Sequence, residues 1–291
     1  FFGHDKILKW RGSHLEYNDL ARGKSFRCIS PLHQAYILRQ PEWEYVVTAD
    51  LRRANERALG RVEWPSPAYS FELRPSFSTA IARLNALLDK ASTGRLVLSV
   101  DLETRNKHIA CVGIAWSRLE AISIPLMCIE RRDGYFSQEE EVFIVEKLRE
   151  LLTHENVYVV GQNFPYDTQY LARYHGIYCK MHMDTMTGHH SIFSMQPKSL
   201  DFLSSIYLED HVYWKDDGKN WDPRYQSEDN LWRYNCEDAV RTYAIAEEIK
   251  STTEKMNYKK TAYGTPLEML HRSQETALRM MLRGVKVDLK K

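Results

Sequence analysis

Apolar residues recur in this chain with two periods, and the change from one to the other separates strands from helices. The run Leu96–Val100 (LVLSV) is short, apolar and rich in branched side chains, as a buried strand requires. His108–Trp116 (HIACVGIAW), Glu120–Leu126 (EAISIPL) and Val157–Val160 have the same character, and the first three runs are joined closely enough for an antiparallel meander. Helical spacing takes over from Ser76 to Lys90, where Ile81, Leu84, Leu87 and Leu88 share one side. It returns after a capping box, Ser137-x-x-Glu140, with Ile144, Leu148, Leu151 and Leu152 forming a core-facing stripe. Leu231–Ile249 reads as a further strong helix. The order predicts an α/β fold with a mixed sheet flanked by helices.

Three antiparallel strands, a helix and another strand begin a ribonuclease-H-like sheet. Residues 76–250 form that domain. Residues 1–60 read as a partial α/β segment: a short strand, FRCIS (Phe26–Ser30), then helical character over Ala35–Gly60 broken at Pro41. Residues 61–75 hold three prolines and no clear period, which predicts a linker. Residues 251–291 read as a helical extension.

Composition narrows the picture only slightly. The 291 residues are 43% hydrophobic with a formal net charge of +1, enough for one large or two ordinary domains. No apolar run reaches the roughly eighteen residues of a membrane span. Five cysteines without a CxxC pair predict reduced thiols in the cytoplasm and no zinc site. The chain opens on Phe1-Phe2, without a signal peptide, and reads as the middle of a longer protein. A near-neutral charge argues neither for nor against nucleic acid, because an acidic site can cancel a basic patch in the sum.

Candidate chemistry begins where the central strand meets Asp101-Leu102-Glu103. Positions i and i+2 of a strand share a face, so two carboxylates point the same way. Such a pair calls for a neutralising cation, and oxygen donors favour Mg²⁺ or Mn²⁺. Downstream, Gly161-Gln162-Asn163-Phe164-Pro165-Tyr166-Asp167 follows a strand; Pro165 suits a first helical turn, Asn163 is the expected N-cap, and Asp167 enters beside the sheet. Tyr234 and Asp238, four residues apart, share a helix face. His189-His190 reads as a loop or helix surface feature, because adjacent helix positions diverge. Lys198 is a candidate phosphate contact. Asp210–Pro223 interleaves Tyr213, Trp214, Lys215 and Trp221, a pattern that suits stacked bases over a charged groove or a loop pinned by its tryptophans.

The segments DLE, NFPYD and YNCED together resemble the three exonuclease motifs of the DEDD superfamily, tyrosine subtype. Over Ser76–Lys250 the chain looks like the 3′→5′ proofreading domain of a family A, polymerase I-like DNA polymerase. The resemblance implies two Mg²⁺ or Mn²⁺ ions, with Asp101 bridging both, Glu103 and Asp238 completing the first, and Asp167 reaching the second through water. Tyr234 would orient the attacking water. Leu102, Thr104, Asn163, Phe164 and Lys198 become candidate substrate contacts, with Leu102 and Phe164 as wedges against the terminal base or as core. The implied partners are single-stranded DNA or a primer 3′ terminus and a covalently attached polymerase domain.

Gly264–Asp288 resembles the entry to that polymerase domain, whose nucleotide-binding parts would lie beyond Lys291. KWRGS (Lys9–Ser13) with Ser30–Trp43 resembles the carboxyl-terminal part of a bacterial-type uracil-DNA glycosylase; His33, Leu38 and Arg39 match its DNA-pressing loop, and Gln34 departs from it. The family's water-activating motif would lie upstream of Phe1, so no glycosylase activity is expected. The combination implies a phage-type fusion polymerase acting in the cytoplasm of a bacterial or phage-infected cell. Two other readings keep part of the pattern: an RNA-trimming DEDD exonuclease and a catalytically silent DNA-binding module.

Overall fold

In a computed structural model, which describes residues 6–131 and 133–288, the chain opens with a short helix, α1 (Ile7–Trp10), and a hairpin of β1 (His14–Asp19) and β2 (Lys24–Ile29). The expected strand FRCIS is β2; its partner β1 is too polar to announce itself. A 3₁₀ turn begins at Pro41 and leads into α2 (Glu44–Ala58). Residues 61–75 are more than a linker, because β3 (Ser70–Glu72) lies within them as the edge strand of the main sheet. Three residues carry no period, and β3 takes its register from the distant strand it pairs with.

The meander follows α3 (Phe77–Thr93) as expected: β4 (Leu96–Arg105), β5 (His108–Ala115) and β6 (Glu120–Pro125), each antiparallel to the next. Asn106 and Lys107 both take positive φ in the tight turn from β4 to β5, which lets the strands twist without splaying. Next come α4 (Gln138–Leu152), with its Ser137–Glu140 capping box formed, β7 (Val157–Gly161), α5 (Pro165–His175), β8 (Met181–Asp184) and α6 (Thr185–Ile192). The chain ends with α7 (Leu200–Tyr207), α8 (Lys215–Lys219), the long α9 (Glu228–Met256) and α10 (Pro266–Arg283).

The sheet has six strands in the order β3-β6-β5-β4-β7-β8, so β4 sits between antiparallel β5 and parallel β7. Its side chains divide by the strand period. Leu98, Val100 and Leu102 enter the main core with Leu84, Leu87, Leu88, Ile144, Leu148, Leu151 and Leu152 of α3 and α4. The alternate residues Ser99, Asp101 and Glu103 face the opposite side, where α9 lies across the sheet and packs Cys236, Ala239 and Val240 on Ala115 and Ala121. A polar face under a long helix is thus built into β4.

The N-terminal segment docks on α7 and the loop after it. Arg11 is buried and holds Asp50 in α2 as well as the Ser205 hydroxyl; Arg53 donates to the Ser205 carbonyl and Arg57 to Glu209. α10 ends at Arg283 before Gly284. Among the described residues all five cysteines are free thiols, and no helix is long and apolar enough to cross a membrane. Leu148 is 1% exposed at the centre of the α4 stripe. Leu148→Ala is expected to lower unfolding free energy by about 2–5 kcal/mol, read from urea denaturation.

Candidate active site

At the carboxyl end of β4, the side chains of Asp101, Glu103 and Asp238 each bring one oxygen into a group whose members lie within 4.8 Å of one another. β4 supplies the first two from one face and α9 supplies the third from above. Asp167 reaches the same strand from the first turn of α5: its Oδ1 accepts the Leu102 backbone N–H at 2.9 Å. It is thereby tied between Asp101 and Glu103 in sequence, although it lies outside the 4.8 Å group.

Neighbouring side chains set the aim of these acids. Asn235 donates from Nδ2 to Oδ2 of Asp101 at 2.8 Å and to its backbone carbonyl at 3.0 Å, while its Oδ1 accepts from Ser123 at 2.9 Å. Trp214 Nε1 donates to Oδ1 of Asp238 at 2.6 Å. Lys215 Nζ holds the other oxygen of Asp238 and donates to the Tyr234 hydroxyl at 2.9 Å. Gly218, on the next turn of α8, packs so closely on the Tyr234 ring that a Cβ has no room. Asn235 is adjacent to Tyr234 in YNCED, yet only its contact with Asp101 marks it as functional.

Electrostatics show why a cation belongs here. Burial and the charge of Asp238 push Asp101 up to about 7. Burial, then the field of Asp101, raises Glu103 and Asp167 well above the usual carboxylate range. Burial works against the Lys215 ammonium, but Asp238 and Asp101 outweigh it and raise its pKa. Tyr234 is raised by burial and by the acids around it, so its hydroxyl keeps its proton. Three crowded oxygen donors with one ammonium among them remain short of positive charge, and a hard divalent ion fits that donor set.

Other expected residues fall elsewhere. Asn163 is not the N-cap: it takes a positive φ, and Phe164 occupies the cap position without a side-chain bond. Its N–H instead donates to Oδ1 of Asp184 at 3.0 Å. Phe164 is wholly buried against Gly161, and Leu102 is 5% exposed in the same core, so neither side chain is a wedge for a base. Thr104 bonds the hydroxyl of Tyr166 at 2.9 Å beside the site. Lys198 turns back onto the carbonyls of Ser194 and Gln196 and offers its charge to the chain itself. Trp214 is buried on Asp238 and not a stacking platform; Trp221 pins its loop through the Ser227 carbonyl. His189 is buried on the Tyr207 hydroxyl and belongs to no metal cluster among the described residues. His33 caps a 3₁₀ turn by accepting from the Ala35 N–H, and Leu38 and Arg39 are exposed.

Sequence reasoning missed Asp184 entirely. This buried residue caps α6 through the Met186 N–H, accepts from Asn163 and from Gln274 in α10, and donates its own N–H to His271. It ties the loop that presents Asp167 to the carboxyl-terminal helix.

A ribonuclease-H-like sheet with these acids at the end of its central strand defines a nuclease of the DEDD class. Residues 76–254 match the 3′–5′ exonuclease family, and the chain belongs to that family. Among solved structures it resembles the catalytic core of RRP6 from Trypanosoma brucei (12% identity, TM-score 0.53, 95% of this chain and 68% of that one). It also resembles Brucella melitensis NrnC bound to pGG (15%, 0.52, 77% and 98%). A third likeness is to the POL domain of Pol1 from M. smegmatis in complex with DNA primer-template and dNTP (16%, 0.52, 76% and 33%), so the chain matches a third of that molecule. At these identities the likeness is one of fold. No curated protein sequence matches the chain.

Acids with raised pKa bind protons in the folded state that the unfolded chain releases, so their contribution is present below about pH 4 and is lost as pH rises through about 7. Metal-free protein is therefore expected to lose stability from pH 5 to 8 through this cluster, by up to about 1.4 kcal/mol per pH unit for each proton involved. Asp101→Asn should flatten that loss, and Mg²⁺ should raise the melting temperature more at pH 8 than at pH 5; thermal denaturation of both proteins checks it.

Proposed function

We propose that this protein removes nucleotides one at a time from the 3′ end of single-stranded DNA, as the proofreading domain of a family A DNA polymerase. The observation that carries the reading is the convergence of Asp101, Glu103 and Asp238, with Asp167 bonded to the strand between the first two. In this reading Asp101, Glu103 and Asp238 hold one divalent ion, and Asp101 with Asp167 serves a second. Bound there, the ions neutralise charge on the phosphate and make a water easier to ionise.

The chain's own groups do the positioning. Tyr234 keeps its proton and orients a water through its hydroxyl, without acting as the base. Asn235 fixes the direction of Asp101, and Trp214 that of Asp238. Water attacks the terminal phosphorus in line and gives up a proton to solvent. The bond to the 3′ oxygen breaks, that oxygen takes a proton from solvent to become the new 3′ hydroxyl, and a nucleoside monophosphate leaves. Phosphoryl transfer of this kind depends on placement and charge neutralisation, for which four carboxylates would hold the cations and which a nucleophilic side chain would not improve.

Support for DNA comes from the resemblance of Gly264–Asp288 to the entry of a polymerase domain; its helix α10 bonds to Asp184 behind the Asp167 loop. The alternative substrate is RNA. A 5′-labelled single-stranded oligonucleotide should shorten stepwise with Mg²⁺ and stay intact with EDTA. Asp101→Ala and Asp238→Ala should each lower the rate at least about 100-fold with circular dichroism unchanged; undiminished activity in either sinks the reading. DNA is expected to be digested faster than RNA of the same sequence, and the reverse order would move the assignment to RNA trimming.

A further inference from the structure

Residues 6–60 lie outside the exonuclease match, yet part of that segment reaches the active site through α8. The chain from Lys9 to His14 runs alongside the chain from His211 to Asp216, with contacts along its length. The His14 N–H donates to the His211 carbonyl at 2.9 Å, and the Ser13 hydroxyl accepts from the Tyr213 N–H at 3.2 Å. Trp10 packs on the Tyr213 ring with centroids 5.2 Å apart. Lys9 forms an ion pair with Asp216 and lies 4.7 Å from the centre of the Tyr213 ring. Tyr213 closes the arrangement with a 3.1 Å hydrogen bond from its hydroxyl to Asp216.

What this strap holds is the pair Trp214 and Lys215, which sit between Tyr213 and Asp216 and both bond Asp238. Lys215 also lies 4.9 Å from the centre of the Tyr234 ring, and only 14% of its side chain is exposed. Its ammonium is therefore a fixed cation on a carboxylate of the acidic cluster. Both carboxylate oxygens of Asp238 are thus already engaged, Oδ1 by Trp214 and Oδ2 by Lys215.

We propose that the N-terminal segment is a positioning strap: Lys9 and Trp10 seat α8 so that Lys215 competes with a divalent cation for Asp238. This sets the metal affinity of the site from outside the exonuclease domain. The inference rests on the divalent-ion reading of the cluster. Lys9 acts through Lys215 and is a positioning residue.

A double-mutant cycle on the full chain tests it, with Mn²⁺ binding followed by electron paramagnetic resonance in the absence of nucleic acid. Lys215→Met is expected to tighten Mn²⁺ binding about 10-fold and Lys9→Met about 3-fold, whereas Lys9→Met in the Lys215→Met background should change nothing further. Thermal denaturation with EDTA runs beside it, because a merely structural Lys9 would lower the melting temperature and leave Mn²⁺ affinity unmoved. Unchanged affinity in Lys9→Met, or equal effects of Lys9→Met with and without Lys215, overturns the strap while leaving the metal site intact. Absence of Mn²⁺ binding in every variant overturns the divalent-ion reading and this inference together.

Discussion

Holding three carboxylates within 4.8 Å of each other, under a helix and largely out of water, opposes folding. Burial raises the proton affinity of Asp101, and the charge of Asp238 adds to the effect, which is why Asp101 moves to about 7. Much else in the domain meets that constraint. The strand period places Asp101 and Glu103 together, and α9 must cross the sheet at the right height to add Asp238. Asn235, Trp214 and Lys215 then partner oxygens that would otherwise repel. The arrangement is a cage held ready for positive charge, and the ammonium of Lys215 fills part of the need before any ion arrives.

The supporting residues matter as much as the acids. Asp167 is fixed by the backbone of Leu102, so the loop from β7 to α5 and the end of β4 move as one piece. That loop is in turn held by Asp184, whose side chain also receives α10. Gly218 lets α8 lie against Tyr234 closely enough for Lys215 to reach both Tyr234 and Asp238. The site is therefore joined to both flanking segments, through α8 on one side and Asp184 on the other.

Periodicity alone carried the four strands β4 to β7 of the central sheet. The meander from β4 to β6, the strand β7, and the helices α3, α4 and α9 all stand where their apolar patterns place them, because each buries a continuous stripe. The acids were legible for a related reason: i and i+2 on a strand, and i and i+4 on a helix, fix which side chains face together. Illegible were the features that depend on a distant partner. β3 is three residues long and borrows its order from β6. Asn163 looked like a cap in sequence, yet the carboxylate of Asp184 takes its N–H and leaves it at positive φ. Trp214 and Lys215 read either as a surface for bases or as part of a loop pinned by its tryptophans, and only the packing of α8 on α9 turns them inward onto Asp238. No local pattern could announce Lys9, whose partner Asp216 is 207 residues away.

The central claim is that the acidic cluster engages the terminal phosphodiester through divalent ions. Sulfur in place of one non-bridging oxygen of that phosphodiester weakens contact with Mg²⁺ far more than with the softer Mn²⁺. The measurement is the rate of digestion of the two phosphorothioate diastereomers in each metal. The account predicts that one diastereomer is digested slowly with Mg²⁺ and regains its rate with Mn²⁺. Equal rates for both diastereomers in both metals, matching the all-oxygen substrate, would contradict it.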